Sequence, residues 1–233
     1  WLGHELQDLT TVFKGKSIVN YVENGKIELA LKYIAKGDAD INAKNDYGKT
    51  AFHFACTNGY VDIVQALISR GDLEVNTKDQ YGYTAFHFAC NNGHVDIVKL
   101  VFPREDLDPN IKDVEGKSSL HKACKGGFVK IVQLLLTRIE DINSKDNHGK
   151  NGFHYACEGG YIEIVNALIS HSDLDINVRS KDGKTGFLYL LGWVKTKGKA
   201  LREEVARIGV RICTEHRISP SELLYEEDEQ SKL

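Results

Sequence analysis

Four segments of the chain repeat one order of apolar and polar positions: VDIVQALI at 61–68, VDIVKLVF at 95–102, VKIVQLLL at 129–136 and IEIVNALI at 162–169. In the first, Val61, Ile63, Val64, Leu67 and Ile68 have helical spacing, which predicts a short helix with a wide apolar face. Each segment follows a block such as TAFHFACTNG (50–59), read as another short helix. Thr50 and Thr84 are placed to cap its start. Gly59, Gly93, Gly127 and Gly160 are placed to close it. Before each block comes a turn, D-x-x-G at Asp79–Gly82, Asp113–Gly116 and Asp146–Gly149, whose glycine suits positive φ. Neither helix can bury its face alone, but stacked neighbours can, so the pattern predicts a solenoid.

The period confirms that reading. Gly48, Gly82, Gly116, Gly149 and Gly183 are separated by 34, 34, 33 and 34 residues, and Asn42, Asn76, Asn110, Asn143 and Asn177 close successive units. DYGKTAFHFACTNGYVDIVQALISRGDLEVN (46–76) resembles an ankyrin repeat: a D-x-x-G turn, T-P-L-H-x-A-A, a G-H pair, I-V-x-x-L-L and a closing V-N. The T-P-L-H element stands as TAFH (50–53, 84–87), SSLH (118–121) and NGFH (151–154), without the proline. That loss predicts less rigid helix starts and an unchanged fold. The resemblance covers residues 18–187. It implies an all-α ankyrin-repeat solenoid of stacked helix-turn-helix units with β-turn fingers and two capping repeats. The boundaries read as a lead-in (1–16), an N-terminal capping repeat (17–44), repeats at 45–78, 79–112, 113–145 and 146–179, a C-terminal capping repeat (180–218) and an acidic tail (219–233).

The ends and one loop depart from the pattern. Residues 17–42 keep the two-helix rhythm and lack the T-x-L-H element, as a capping repeat would. The fifth unit has Leu188 where the others have histidine. KALREEVARIGVRIC (199–213) places Leu201, Val205, Ile208 and Ile212 on one stripe and reads as a lengthened cap, with a partner-docking helix as the alternative. Helix 95–102 runs into Pro103, with Arg104 where a glycine is usual, and Pro103 is expected to end that helix in a plain loop. Pro220 interrupts the chain before EEDEQ (226–230), expected to fray.

Composition narrows the function. A net charge of −3 disfavours nucleic acid as the main partner. No apolar run is long enough to span a membrane. The N-terminus lacks a secretory pattern, and a chain with no methionine reads as an excerpt of a longer protein. Five cysteines, an odd number, suit a reducing intracellular compartment, cytoplasm or nucleus. The terminal SKL is a peroxisomal address only if it is the native C-terminus.

His53/Cys56, His87/Cys90, His121/Cys124 and His154/Cys157 share one H-x-x-C spacing. Stacked helices set equivalent atoms ~8–10 Å apart, too far to converge on one zinc at ~2.0–2.3 Å or to bridge as disulfides. Four copies of a nucleophile along a rod do not make one active site. The family resemblance implies that the histidines bond across the turn to neighbouring backbone. The cysteines stand at the second alanine of the A-A pair, as small hydrophobes. No metal, cofactor or catalytic residue is expected, and Cys213 stays undecided.

The resemblance further implies a monomeric, non-catalytic protein-interaction module, a scaffold, adaptor or targeting domain, binding through turn tips and exposed first-helix positions. The tips are Asp46, Tyr47 and Lys49; Gln80, Tyr81 and Tyr83; Val114, Glu115 and Lys117; Asn147, His148 and Lys150; Lys181, Asp182 and Lys184. The helix positions are Thr57, Asn58, Asn91, Asn92, Lys125 and Glu158. The early tyrosines predict an apolar or aromatic anchor on the partner, and Lys117, Lys122, Lys125, Lys150, Lys181 and Lys184 an acidic stretch. Phe54, Phe88 and Tyr155 are expected to pack between repeats. Replacing Tyr81 and Tyr83 by alanine is expected to weaken binding and leave stability nearly unchanged. Two alternatives remain at this stage: the substrate-recruiting domain of a multidomain enzyme, and an effector or degradation-machinery adaptor docking through 199–218.

Overall fold

The computed structural model describes residues 17–37 and 39–224. The lead-in over 1–16, and the EEDEQ run and SKL within 225–233, lie outside the described residues. Among the described residues there are thirteen helices and no strand, only one isolated bridge between Arg179 and Thr185. The chain divides into two compact units between Val114 and Glu115.

The first unit holds α1 (Ile18–Glu23), α2 (Ile27–Ala35), α3 (Ala51–Asn58), α4 (Val61–Ile68), α5 (Ala85–Asn92) and α6 (Val95–Val101). The helices α1, α3 and α5 pack in one row, α2, α4 and α6 in another. The second unit holds α7 (Ser119–Gly126), α8 (Val129–Leu135), α9 (Gly152–Gly159), α10 (Ile162–Ile169), α11 (Gly186–Val194), α12 (Lys199–Glu215) and α13 (Pro220–Leu224). Its rows are α7–α9–α11 and α8–α10, with α12 against α11 and α13 against α12.

The T-x-x-H element is a capping box built with imidazole. Thr50, Thr84, Ser118 and Asn151 sit extended before α3, α5, α7 and α9, and the histidine three residues on returns a ring nitrogen to the cap's own backbone N–H. Such a cap satisfies donors that a helix start leaves open. In α1 the box is Ser17 with Asn20, so the N-terminal repeat keeps the device with another side chain. At the far end of α3, Gly59 is left-handed at φ 75°. A β-carbon there would lie 2.8 Å from Cε1 of His94, so glycine also lets the next repeat close in.

The second helices bury less than their pattern suggests. In α4, Ile63, Val64 and Leu67 are buried while Val61 is 38% exposed, because the first residue of the helix stands at the edge of the stack. Asn42 spans repeats on this side: its amide donates to the Asp72 carbonyl (2.6 Å) and its oxygen accepts from Glu74 N–H (2.9 Å). Asn76 and Asn143 repeat the bridge to Asp106 and Asp108, and to Asp173 and Asp175.

The loop after Pro103 is less irregular than the sequence suggests. Arg104 matches Arg70, not a glycine: each makes a two-pronged ion pair with the aspartate two residues on and donates to a carbonyl of the preceding repeat, Ile68 and Ile34. The C-terminal stripe is shorter than expected. Val205, Ile208 and Ile212 are buried, but Leu201 is 37% exposed, because α12 begins beyond the helix it covers. Arg211 donates to Asn166 Oδ1 and Ser170 Oγ, and His216 meets the Ile169 carbonyl at 3.2 Å, so α12 closes the stack. Pro220 opens a helix instead of a tail. Proline is favoured at a first helical position, Ser219 and Glu222 form the cap, and Leu223 is buried.

Candidate interaction surface

The turn fingers are built by one carboxylate or amide each. Asp79 Oδ1 accepts from the backbone N–H of Tyr81 and Tyr83, both at 2.9 Å. Asp146 does the same for His148 and Lys150, and Asn45 for Tyr47 and Lys49. Backbone bonds join successive fingers: Gln80 N–H donates to Tyr47 C=O and Val114 N–H to Tyr81 C=O in the first unit. In the second, Asn147 donates to Glu115 and Lys181 to His148. The tips are therefore held in register by main chain, which leaves their side chains available.

The histidines tie finger to finger. His53 Nδ1 accepts from Thr50 N–H at 3.1 Å, so Nε2 carries the proton and donates to the Tyr83 carbonyl at 3.1 Å. His121 reaches the Lys150 carbonyl and His154 the Lys184 carbonyl in the same way. Burial pushes His53 below the usual imidazole pKa and His154 down to about 4, with the Lys150 charge adding to the second. Cys56, Cys90, Cys124 and Cys157 are fully buried, and burial pushes the thiols of Cys56, Cys124 and Cys157 up. The ring nitrogens of His53, His121 and His154 are thus spent on structure, and buried thiols held protonated are poor nucleophiles. Among the described residues no three His, Cys, Asp or Glu side chains form a metal-binding group, and no helix is long and apolar enough to cross a membrane.

The expected surface residues separate into three groups. Asp46, Asn58, Gln80, Asn91, Lys125, His148, Glu158 and Lys184 are exposed, as are Tyr47 and Tyr81 at 58% and 54%. Thr57, Asn92 and Tyr83 spend groups on stacking. The Thr57 carbonyl accepts from Asn92 Nδ2 and meets His94 Nε2, while Tyr83 stacks on Phe88 at 5.1 Å. Tyr83 therefore packs on a neighbouring ring as well as standing at a tip. Lys49 and Lys150 are half-buried among aromatic rings.

Two lysines correct the reading of a solvated basic edge. Lys117 is 7% and Lys122 5% exposed. Lys117 Nζ lies 2.6 Å from Glu115 and 5.7 Å from the centre of the Tyr155 ring. A long aliphatic stem allows a lysine to be covered while its ammonium is paired, and sequence position does not report that cover.

In the second unit a groove of about 600 Å3 is lined by Lys125, Lys150, Tyr155, Glu158, Lys181 and Tyr189, among others. Tyr155 and Tyr189 each meet a motif histidine edge-on, His121 and His154. The Tyr155 hydroxyl donates to Asp146 Oδ2 at 2.5 Å, and that of Tyr189 to Asp182 at 2.5 Å. Burial works against ionising Asp146, but the bonds from Tyr155, Lys150 and His148 outweigh it and hold its pKa below the carboxylate value. Lys150 Nζ lies 4.5 Å from the Tyr189 ring centre, 5.7 Å from that of Tyr155 and 2.9 Å from Glu158 Oε2. Tyr189 was legible only through the register, 34 residues after Tyr155; Leu188, which breaks the histidine motif, hides it.

Comparison with curated proteins gives no significant match. A family model for ankyrin repeats matches residues 18–113 and 100–180. The match covers the capping histidines and the helices α1 to α10, and ends before α11; ankyrin repeats are in general protein-interaction modules, and the chain belongs to the ankyrin-repeat family.

Proposed function

We propose that the chain is a non-catalytic interaction module that holds a partner protein on its turn tips and first-helix ends. The observation that carries this reading is the pair Tyr47 and Tyr81: two aromatic side chains more than half exposed, on adjacent fingers fixed by a main-chain bond. Tyrosine so held offers contact area at little entropic cost. Asn58 and Asn91, exposed on the neighbouring helices, add hydrogen-bonding groups beside it.

Docking through α12 has less support. The inner face of that helix is used in closing the stack, and its exposed large apolar residues are Leu201 and Val210 alone. The test is to recover a partner by proximity labelling and measure its affinity for the purified chain by calorimetry. Replacing Tyr47 and Tyr81 together by alanine is expected to weaken binding at least about tenfold, with an unchanged melting curve. Unchanged affinity would show that the partner binds elsewhere.

A further inference from the structure

Glu158 has a place in the second-unit groove that stacking does not require. It neutralises Lys150, whose side chain is only 17% exposed, yet is itself 49% exposed. A pair with one partner in solvent is weakly held, so another carboxylate can displace Glu158 cheaply. The surroundings favour that exchange. Lys125 and Lys181 line the same groove, are exposed, and have no ion-pair partner among the described residues. The carboxylate of Asp182 is already occupied by the Tyr189 hydroxyl. Lysines outnumber the two lining carboxylates, Glu158 and Asp182, and an excess of one sign between low-dielectric walls, here the Tyr155 and Tyr189 rings, concentrates the opposite sign. The chain as a whole is negative, at −3, so attraction for an anion must come from this place and not from net charge.

We propose that this groove receives an acidic segment of a partner protein, one carboxylate of which takes the place of Glu158 on the Lys150 ammonium. Glu158 then acts as a built-in competitor that weakens binding and excludes segments with too little negative charge. The proposal rests on the reading of the chain as an interaction module and specifies the partner chemistry at the groove. The equivalent lysine of the first unit, Lys49, also lies between two rings, at 4.8 Å from Phe88 and 5.8 Å from Phe54, but the position matching Glu158 is Thr57, which cannot compete.

The test uses the full chain with a fluorescein-labelled Gly-Glu repeat peptide, its Gly-Gln counterpart and a single-stranded DNA of similar charge, read by anisotropy at low and physiological salt. The Glu peptide is expected to bind at least about tenfold tighter than the Gln peptide. Glu158→Gln is expected to tighten the Glu peptide about three- to tenfold, and Lys125→Gln with Lys181→Gln to loosen it by a similar factor without moving the melting temperature. A Glu158→Gln chain that binds the peptide no better than wild type overturns the proposal, as does equal binding of the Gln peptide or the DNA. The chain lacking Tyr47 and Tyr81 side chains serves as the control. If it loses the protein partner but keeps the peptide, both readings stand. If the Glu peptide fails on wild type while that chain still loses its partner, only the groove proposal falls.

Discussion

Lys49 in the first unit and Lys150 in the second occupy the same place in the repeat and nearly the same geometry. Each ammonium lies between the ring that follows its own motif histidine and the ring of the next repeat, at 5.8 and 4.8 Å for Lys49 and 5.7 and 4.5 Å for Lys150. The rings differ: Phe54 and Phe88 in one, Tyr155 and Tyr189 in the other. The second unit uses its hydroxyls to satisfy the finger carboxylates, Asp146 and Asp182. In the first, Phe88 has no hydroxyl to offer, and Asp79 Oδ2 is buried without a hydrogen bond. One scaffold thus carries different chemistries at this position, a phenylalanine, a tyrosine or, in the repeat between them, Lys122, because stacking does not fix the side chain there. The hydroxyl is surplus to stacking and decides the polarity of the groove.

What the two units share should fail first. The folded His154 pKa of about 4 lies below the unfolded value of 6.5, so the unfolded chain takes up a proton that the native state refuses. The stabilisation is complete above about pH 6.5 and is lost as pH falls to about 4, amounting to ~3 kcal/mol for this residue. His53 is shifted with the same sign. Urea unfolding followed from pH 7 to about 5, where unfolded carboxylates are still mostly ionised, should show more than half of this decline, and a flat profile over that range would remove the imidazole ties from the account.

The next effect separates the units. Tyr155→Phe deprives Asp146 Oδ2 of its donor in a buried site and should destabilise the chain by about 1–3 kcal/mol. The reverse change, Phe88→Tyr, aims a hydroxyl at Asp79 Oδ2. The His53–Phe88 and His121–Tyr155 ring pairs match closely, at 6.2 Å and 74° against 6.1 Å and 78°, so the new hydroxyl should reach its acceptor. A gain of about 1 kcal/mol is expected, and calorimetric melting of both variants checks the pair of signs. Two losses would mean that the two finger pockets are not interchangeable. The smallest effect belongs to the tips: Tyr47→Ala and Tyr81→Ala should each change stability by no more than ~0.5 kcal/mol, since surface substitutions away from such contacts do little.

Much of this was readable along the chain. The capping residues, the closing glycines, the finger turns and the ties made by His53, His121 and His154 all follow from side chains acting within a few residues or one period. The departures have separate causes. Arg104 pairs with Asp106 as Arg70 does with Asp72, a correspondence that a search for glycine does not reveal. Leu201 belongs to an apolar stripe that is buried only from Val205 onward. Pro220 looks like a breaker along the chain, but the serine before it makes it a helix start.

The sequence by itself determined the repeat, because each unit's apolar faces and backbone caps recur at a fixed period and have one way to be satisfied together. Only the tertiary structure decided which polar side chains reach solvent. Lys117, Lys125 and Lys150 look alike along the chain, yet one is buried on Glu115, one is exposed and one is enclosed by Tyr155 and Tyr189. A long charged side chain takes its environment from neighbours in the adjacent repeat, and no local pattern encodes those neighbours.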